Sequence, residues 1–143
     1  VNHLEATKTV VGTPCTSAAV TATLTLDTLG YDYASIEVIV DKSSTAGHTA
    51  NSILNVLSLK QGDVSNSVTT DVYTVSVPAA SVAVTNQASV VRLDVDCRGK
   101  GRYLKVDATP AVTLDTNIVA RLGKGEAGPE SASAKGVLAK YSG

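Results

Sequence analysis

Gly30-Tyr31-Asp32-Tyr33-Ala34-Ser35-Ile36-Glu37-Val38-Ile39-Val40-Asp41 changes polarity nearly residue by residue, and its reading decides the fold. Successive side chains of a strand point to opposite faces, so Ala34, Ile36, Val38 and Val40 share one side and Tyr33, Ser35, Glu37 and Ile39 the other. That is the pattern of a half-buried strand. The preceding residues 18–27 repeat it, with Ala18, Val20, Ala22, Leu24 and Leu26 inward and Ala19, Thr21, Thr23 and Thr25 outward. Thr28-Leu29-Gly30 joins the two.

Working outward, the 143 residues make one domain, long enough to bury roughly two thirds of its unfolded surface. Its core has no Trp, Phe or Met to draw on and must be filled by Val, Leu, Ile, Ala and Tyr, a composition that suits sheets. A formal net charge of -1 without a basic stripe argues against nucleic acid as a partner. No apolar run approaches the roughly 18 residues of a membrane span, so no membrane is expected either. The start shows no apolar region behind a basic one, and assembly in a host cytoplasm is the expectation. Cys15 and Cys97 are then expected as free, buried thiols; a bridge between them would imply secretion or late oxidation.

Residues 1–16 have neither clean alternation nor a helix start, and read as an extended N-terminal arm or an edge strand. The polar, Gly-punctuated run 41–52 is a long loop. Ile53 to Lys60 reads as a strand buried on most of both faces, or a short buried helix. Tyr73, Val75 and Val77 form the inward side of a strand that Pro78 ends. A short strand at Val82 to Val84 is possible in the next connection. Ser89, Val91, Leu93, Val95 and Cys97 oppose Val90, Arg92, Asp94, Asp96 and Arg98 in the clearest alternation of the chain. Gly99-Lys100-Gly101 then reads as a hairpin turn returning through residues 102–107. A last strand, 112–122, carries Val112, Leu114, Ile118, Ala120 and Leu122 on one side. Seven or eight strands with almost no helical periodicity predict an all-β, antiparallel sandwich over residues 17–122, with the eight-stranded jelly roll preferred. Residues 123–143, rich in Gly, Ser and Ala, read as a flexible tail. Its apolar tip, Val137-Leu138-Ala139-Lys140-Tyr141, is expected either to anchor on this subunit or a neighbour or to fold back as a final edge strand on its own sheet.

Reactive chemistry is sparse. Asp94 and Asp96 are neighbours on one strand face, yet Arg92 and Arg98 flank them, which favours a solvated charge ladder over a catalytic dyad or a Ca²⁺ site. His3 and His48 have no metal-ligand spacing, and the many Ser and Thr residues form no nucleophile elbow. Gly99-Lys100-Gly101 precedes a strand, the wrong context for a phosphate loop. No catalytic residue, cofactor or metal ligand is expected. Sugar binding is the more serious rival, because jelly rolls host lectins and carbohydrate modules, whose sites usually lay an aromatic face against the sugar. Tyr73 and at least one of Tyr31 or Tyr33 are expected to fill or cover the core, which leaves no open platform.

The run from Leu26 to Val38 resembles a recurrent signature of tailed-bacteriophage structural proteins, "Asp-Thr-x-Gly-Tyr-Asp-Tyr-Ala" leading into a strand. Leu93 to Val106 is similar to the same family's "Asp-x-Arg-Gly-x-x-Arg-Tyr-Leu-x-Val" hairpin. The two motifs cover under a quarter of the chain, in the expected order. Where many relatives carry an acidic "Ser-Asp-Asp-Gly" turn, this chain has Gln61-Gly62-Asp63-Val64-Ser65-Asn66-Ser67. The resemblance implies a jelly-roll capsid decoration, or cement, protein on the outer capsid surface of the virion. Its implied partners are the major capsid protein and two further copies in a homotrimer. On that reading Val10, Val11, Val137, Leu138 and Tyr141 are the expected interface residues. The rivals are a host-surface glycan-binding module and a head-to-tail or baseplate connector.

Overall fold

The computed structural model describes residues 7–16, 20–41, 52–78, 88–111 and 114–125. Among the described residues eight strands follow in chain order: β1 (Lys8–Val11), β2 (Ala22–Asp27), β3 (Tyr31–Val40), β4 (Ser52–Gly62), β5 (Thr70–Pro78), β6 (Ser89–Asp96), β7 (Tyr103–Pro110) and β8 (Thr116–Gly125). They form two antiparallel four-stranded sheets, ordered β1-β8-β3-β6 and β2-β7-β4-β5. Of these eight strands only β4 and β5 are sequential neighbours in one sheet. Every other connection carries the chain across the sandwich, and that winding is the eight-stranded jelly roll. Among the described residues no helix is long and apolar enough to cross a membrane.

The period-2 pattern explains the layers. Ala34, Ile36, Val38 and Val40 of β3 and Ile118, Ala120 and Leu122 of β8 face Leu24 and Leu26 of β2, Leu54, Leu57 and Leu59 of β4, and Leu104 and Val106 of β7 in one core. Without large aromatics, register does the fitting. Ile36 lies opposite Ala120 and Ala34 opposite Leu122, so large and small side chains alternate along the seam. Each fully buried Leu, Ile or Val contributes about 1.5–3 kcal/mol.

Several expectations need correction. β6 and β7 are not hairpin partners, because they belong to opposite sheets; β7 pairs with β2 and β4. Alternation on two consecutive strands does not reveal which sheet each joins, since both designs put the same residues inside. Tyr73 lies on the face of the buried Leu59 with which it pairs, as expected, but β5 is an edge strand and leaves it 46% exposed. The register shifts just before it, since Leu59 pairs with Tyr73 but Lys60 with Asp71, which leaves Val72 as an extra residue. The side chains of Val75 and Val77 lie outside those described. The segment expected as an arm is, from Lys8 to Val11, an edge strand on β8 of its own sheet, and Cys15 continues it through a bridge to Thr116. The last strand runs on to Gly125, past the expected boundary at residue 122, and Thr116 is part of its buried face. Val82 to Val84, most of the 41–52 loop and residues 126–143 lie outside the described residues.

Candidate functional site

The two stretches that carry the family resemblance meet at one end of the sandwich. There β2 crosses to β3 while β6 crosses to β7 in the opposite sense, and both crossings are built alike. In Thr28-Leu29-Gly30-Tyr31 the Tyr31 N–H donates to the Thr28 carbonyl (3.0 Å), with Gly30 at φ +81°. In Cys97-Arg98-Gly99-Lys100 the Lys100 N–H donates to the Cys97 carbonyl (3.2 Å), with Gly99 at φ +75°. Both are type II turns, whose third position demands positive φ and hence glycine. An aspartate precedes each. Asp27 Oδ1 accepts the Leu29 N–H (3.1 Å) and Asp96 Oδ1 accepts the Arg98 N–H (3.0 Å).

Each aspartate is also held by an arginine. Arg102 grips Asp27 through two hydrogen bonds of 2.9 and 2.7 Å, and Arg98 grips Asp96 through two of 2.9 and 2.8 Å. The corners bond to each other as well: the Thr28 N–H and hydroxyl both donate to the Arg102 carbonyl, and the Cys97 N–H donates to the Asp32 carbonyl. Beside them the Tyr33 ring lies between two cations, with the Arg98 guanidinium 5.0 Å and the Lys124 ammonium 5.2 Å from its centroid. The sequence carried a signal for this in the spacing Asp-x-x-Gly, present at Asp27–Gly30 and again at Asp96–Gly99. Reading the second as a hairpin hid the equivalence.

Charge follows this geometry. The Arg98 hydrogen bonds pull Asp96 down to about 2, and Arg102 likewise holds Asp27 below the usual carboxylate range. Asp94 is lowered by its bond from Arg92 Nε (3.0 Å). Asp94 and Asp96 therefore sit in separate Arg–Asp pairs on the outer face of β6, as the charge-ladder reading has it. All three carboxylates stay ionised through neutral pH, and none is poised to donate a proton. Among the described residues no three His, Cys, Asp or Glu side chains come together as metal ligands would; His3 and His48 lie outside the described residues.

Cys15 and Cys97 are both free and buried. Cys15 bridges to Thr116, which pairs with Val40, whereas Cys97 bonds to Asp32 near the other end of the same ten-residue strand. Eight residues of strand separate those positions by about 26 Å, far beyond disulfide reach. Burial, reinforced by the Asp96 charge, pushes the Cys97 thiol up to about 11.

Of the expected interface residues, Val10 packs against the core and Val11 is 61% exposed on the edge strand, so the structure separates the pair. Val137, Leu138 and Tyr141 lie outside the described residues. Sequence reading missed two surface features. Leu29, 66% exposed, and Val64, 56% exposed, stand on loops at the corner end of the sandwich. A groove of about 400 Å³ also runs between β5 and β6, lined by Leu59, Val72, Tyr73, Leu93 and Val95, with Arg92, Asp94, Asp96 and Lys100 along it.

No protein-family model matches the chain, and no curated protein is similar to it in sequence. Among solved structures, a chain from the naturally occurring empty particles of the Cowpea mosaic virus top component is similar over 88% of this chain and 91% of that one. The identity is 10% and the TM-score 0.46.

Proposed function

We propose that this chain is a structural protein of a tailed-phage virion, a decoration or cement protein that binds the outer capsid surface and stabilises the head without catalysing a reaction. One observation carries the reading. The two motifs of the resemblance, about seventy residues apart in sequence, fold into a single interlocked corner. Motifs that recur together in a family are expected to share one structural task, and here they share the frame of the jelly roll. Their polar groups are spent on one another: Asp27 on Arg102, Asp96 on Arg98, Thr28 on the Arg102 carbonyl.

A cement protein needs a stiff body and apolar contacts on its surface. The corner gives the stiffness, and Leu29, Val64 and Val11 give exposed apolar contacts. The partner on this reading is the major capsid protein, and a homotrimer places three such surfaces around one capsid axis, where each contact raises the effective concentration of the others.

The test uses heads of the encoding phage prepared without this protein. Added back, the purified chain is expected to bind saturably, on the order of hundreds of copies per head by cyclic-symmetry arithmetic, and to raise the temperature at which heads release DNA. Recovery of about a dozen copies at the neck or baseplate would overturn the reading in favour of a connector. Removing residues 1–6 is expected to lower occupancy and leave the far-UV circular dichroism unchanged. Removing 1–14 also strips β1 from its sheet, so it tests folding as well as attachment.

A further inference from the structure

The flank of the sandwich between β5 and β6 is built differently from the opposite flank. On the β1–β2 side the chain closes the gap itself: Thr13 bridges Thr23, and the Gly12 backbone sits so close that an added Cβ would meet the Thr23 carbonyl oxygen at 2.5 Å. On the β5–β6 side the groove of about 400 Å³ lies between two edge strands, with Val72 and Tyr73 exposed beside Leu59, Leu93 and Val95. A second hollow of about 370 Å³, lined by Gln61, Asp63, Thr70 and the Gly99-Lys100-Gly101 turn, adjoins it through Lys100, which lines both. Each is in the size range of small-molecule sites, roughly 300–1,000 Å³.

The tyrosines single out this groove. The Tyr33 ring carries Arg98 and Lys124, the Tyr103 ring carries Arg102 at 5.1 Å, and Tyr31 packs against the core. Among the described tyrosines Tyr73 alone has neither a cation over its ring nor a place against the core, and it lines the groove while nearly half exposed. The sequence reading left no open aromatic platform; the structure leaves one at Tyr73.

We propose that the groove and its adjoining hollow bind a neutral oligosaccharide, with one sugar ring laid against Tyr73 and the next units reaching the polar hollow past Lys100. The charges select the ligand. Arg92 is paired with Asp94 and Arg98 with Asp96, and Lys100 and Asp63 add one charge of each sign, so the rim holds no surplus for an ionic ligand such as phosphate. What it does hold is a row of partners for hydroxyls: the carboxylates accept, Arg92 and Lys100 donate, and the Thr70 hydroxyl does either. Gln61 spends its amide oxygen on the Gly101 N–H (3.1 Å), which leaves its amino group, with two donors, unpartnered among the described residues. A sugar ring offers the complement to both hollows, an apolar C–H face for the Tyr73 ring and hydroxyls that donate and accept around its edge. A wholly apolar ligand would instead strip water from these polar groups and return no hydrogen bond.

The test is binding of the full chain to an array of neutral di- to hexasaccharides, followed by titration of the ¹⁵N-enriched chain with the tightest binder. Saturable shifts are expected at the amides of Thr70, Tyr73, Leu93 and Lys100, and none at Thr13 or Thr23 on the closed flank. Tyr73→Phe is expected to keep the affinity and Tyr73→Ala to lower it about tenfold or more, both with the β-sheet circular dichroism preserved, because the ring and not its hydroxyl makes the contact. Thr70→Val is expected to weaken a tetrasaccharide and leave a disaccharide unchanged, since only the longer ligand reaches the second hollow; it carries the test should Tyr73→Ala unfold the chain. No binding across the array, or equal affinity of wild type and these variants, would overturn the site. So would the same groove shifts on raising the protein concentration without saccharide, the sign of a contact between copies. The experiment needs no phage head, so its failure leaves the virion reading standing.

Discussion

Gly99 and Gly101 stand two residues apart in one loop, and the structure gives them opposite reasons for being glycine. Gly99 has φ +75° and open space around it, so an added methyl meets nothing within 4 Å and the cost is conformational alone. A left-handed L-residue costs about 1–2 kcal/mol, offset by up to about 1 kcal/mol from the loss of unfolded-chain freedom, which leaves about 1 kcal/mol for Gly99→Ala. Gly101 has no left-handed angle, but its Cβ would lie 2.7, 2.8 and 2.9 Å from the oxygen, carbon and nitrogen of Gly62. These are backbone atoms at the end of β4 and cannot rotate away. Relief requires the corner to lift off the sheet, at about 1–3 kcal/mol for overpacking and about 1 more for the Gly101 N–H bond to Gln61 Oε1. Gly101→Ala is therefore expected to cost about 2–4 kcal/mol, more than Gly99→Ala, read as a fall in the urea midpoint by tyrosine fluorescence at unchanged slope. Gly99→Asn is expected to recover part of the loss, since Asn tolerates the left-handed region, and Gly101→Asn to recover none. If Gly101→Ala lay within about 0.5 kcal/mol of wild type, the loop would not rest on β4 and the crossing of β6 to β7 between sheets would be wrong.

Acid should loosen the same corner. Asp27 and Asp96 have lowered folded pKa values, so their contribution is complete above the ordinary 3.8 and is lost as pH falls toward about 2; Asp27→Asn and Asp96→Asn variants are expected to show a flatter urea midpoint between about pH 5 and 2. A double-mutant cycle of Asp27→Ala with Arg102→Ala is expected to give only a small coupling, because both side chains remain about 40% exposed and the pair is screened by solvent. Alkali acts through Cys97: its thiol ionises near 9.0 when unfolded and near 11 when folded, so stability is full below the first value and falls by about 2–3 kcal/mol across that interval, a fall that Cys97→Ala removes. Under the virion reading, Leu29→Asp with Val64→Asp is expected to lower head occupancy in a pull-down while leaving the urea midpoint within about 0.5 kcal/mol of wild type, since both residues are exposed.

What the sequence made legible was inside versus outside. Alternation placed Ala34, Ile36, Val38 and Val40 in the core, and Leu24, Leu26, Ile118, Ala120 and Leu122 with them. Pairing was not legible to the same degree, because period 2 names a face and not a neighbour. Gly99-Lys100-Gly101 is compatible with a two-stranded return and with a crossing between sheets, and the pairing of β7 with β2 and β4, continued by the bond from the Thr28 N–H to the Arg102 carbonyl, tells them apart. The exposure of Tyr73 was hidden for a similar reason: alternation puts it on the face of Leu59 but does not say that β5 is the edge strand of its sheet. The charge ladder at Arg92, Asp94, Asp96 and Arg98 was legible because opposite charges two apart on a strand share a face. The pairing of Asp27 with Arg102 was not, for nothing local joins residues 75 positions apart.

The two motifs of the resemblance do structural work. The residues that make the two motifs recognisable, Asp27, Gly30, Asp96, Gly99 and Arg102, are those whose replacement breaks a turn, an aspartate–arginine grip or a bond between the two crossings. They hold the frame, and a frame is shared by proteins that attach to different surfaces. Leu29, at the variable position of the first motif, is the residue the corner holds out into solvent. Under the virion reading, the partner is recognised by what the corner displays, and the display is held rigid by what the corner conceals. A decoration protein needs both, because a contact made through an ordered loop loses less conformational freedom on binding than one made through a loop that must first be fixed.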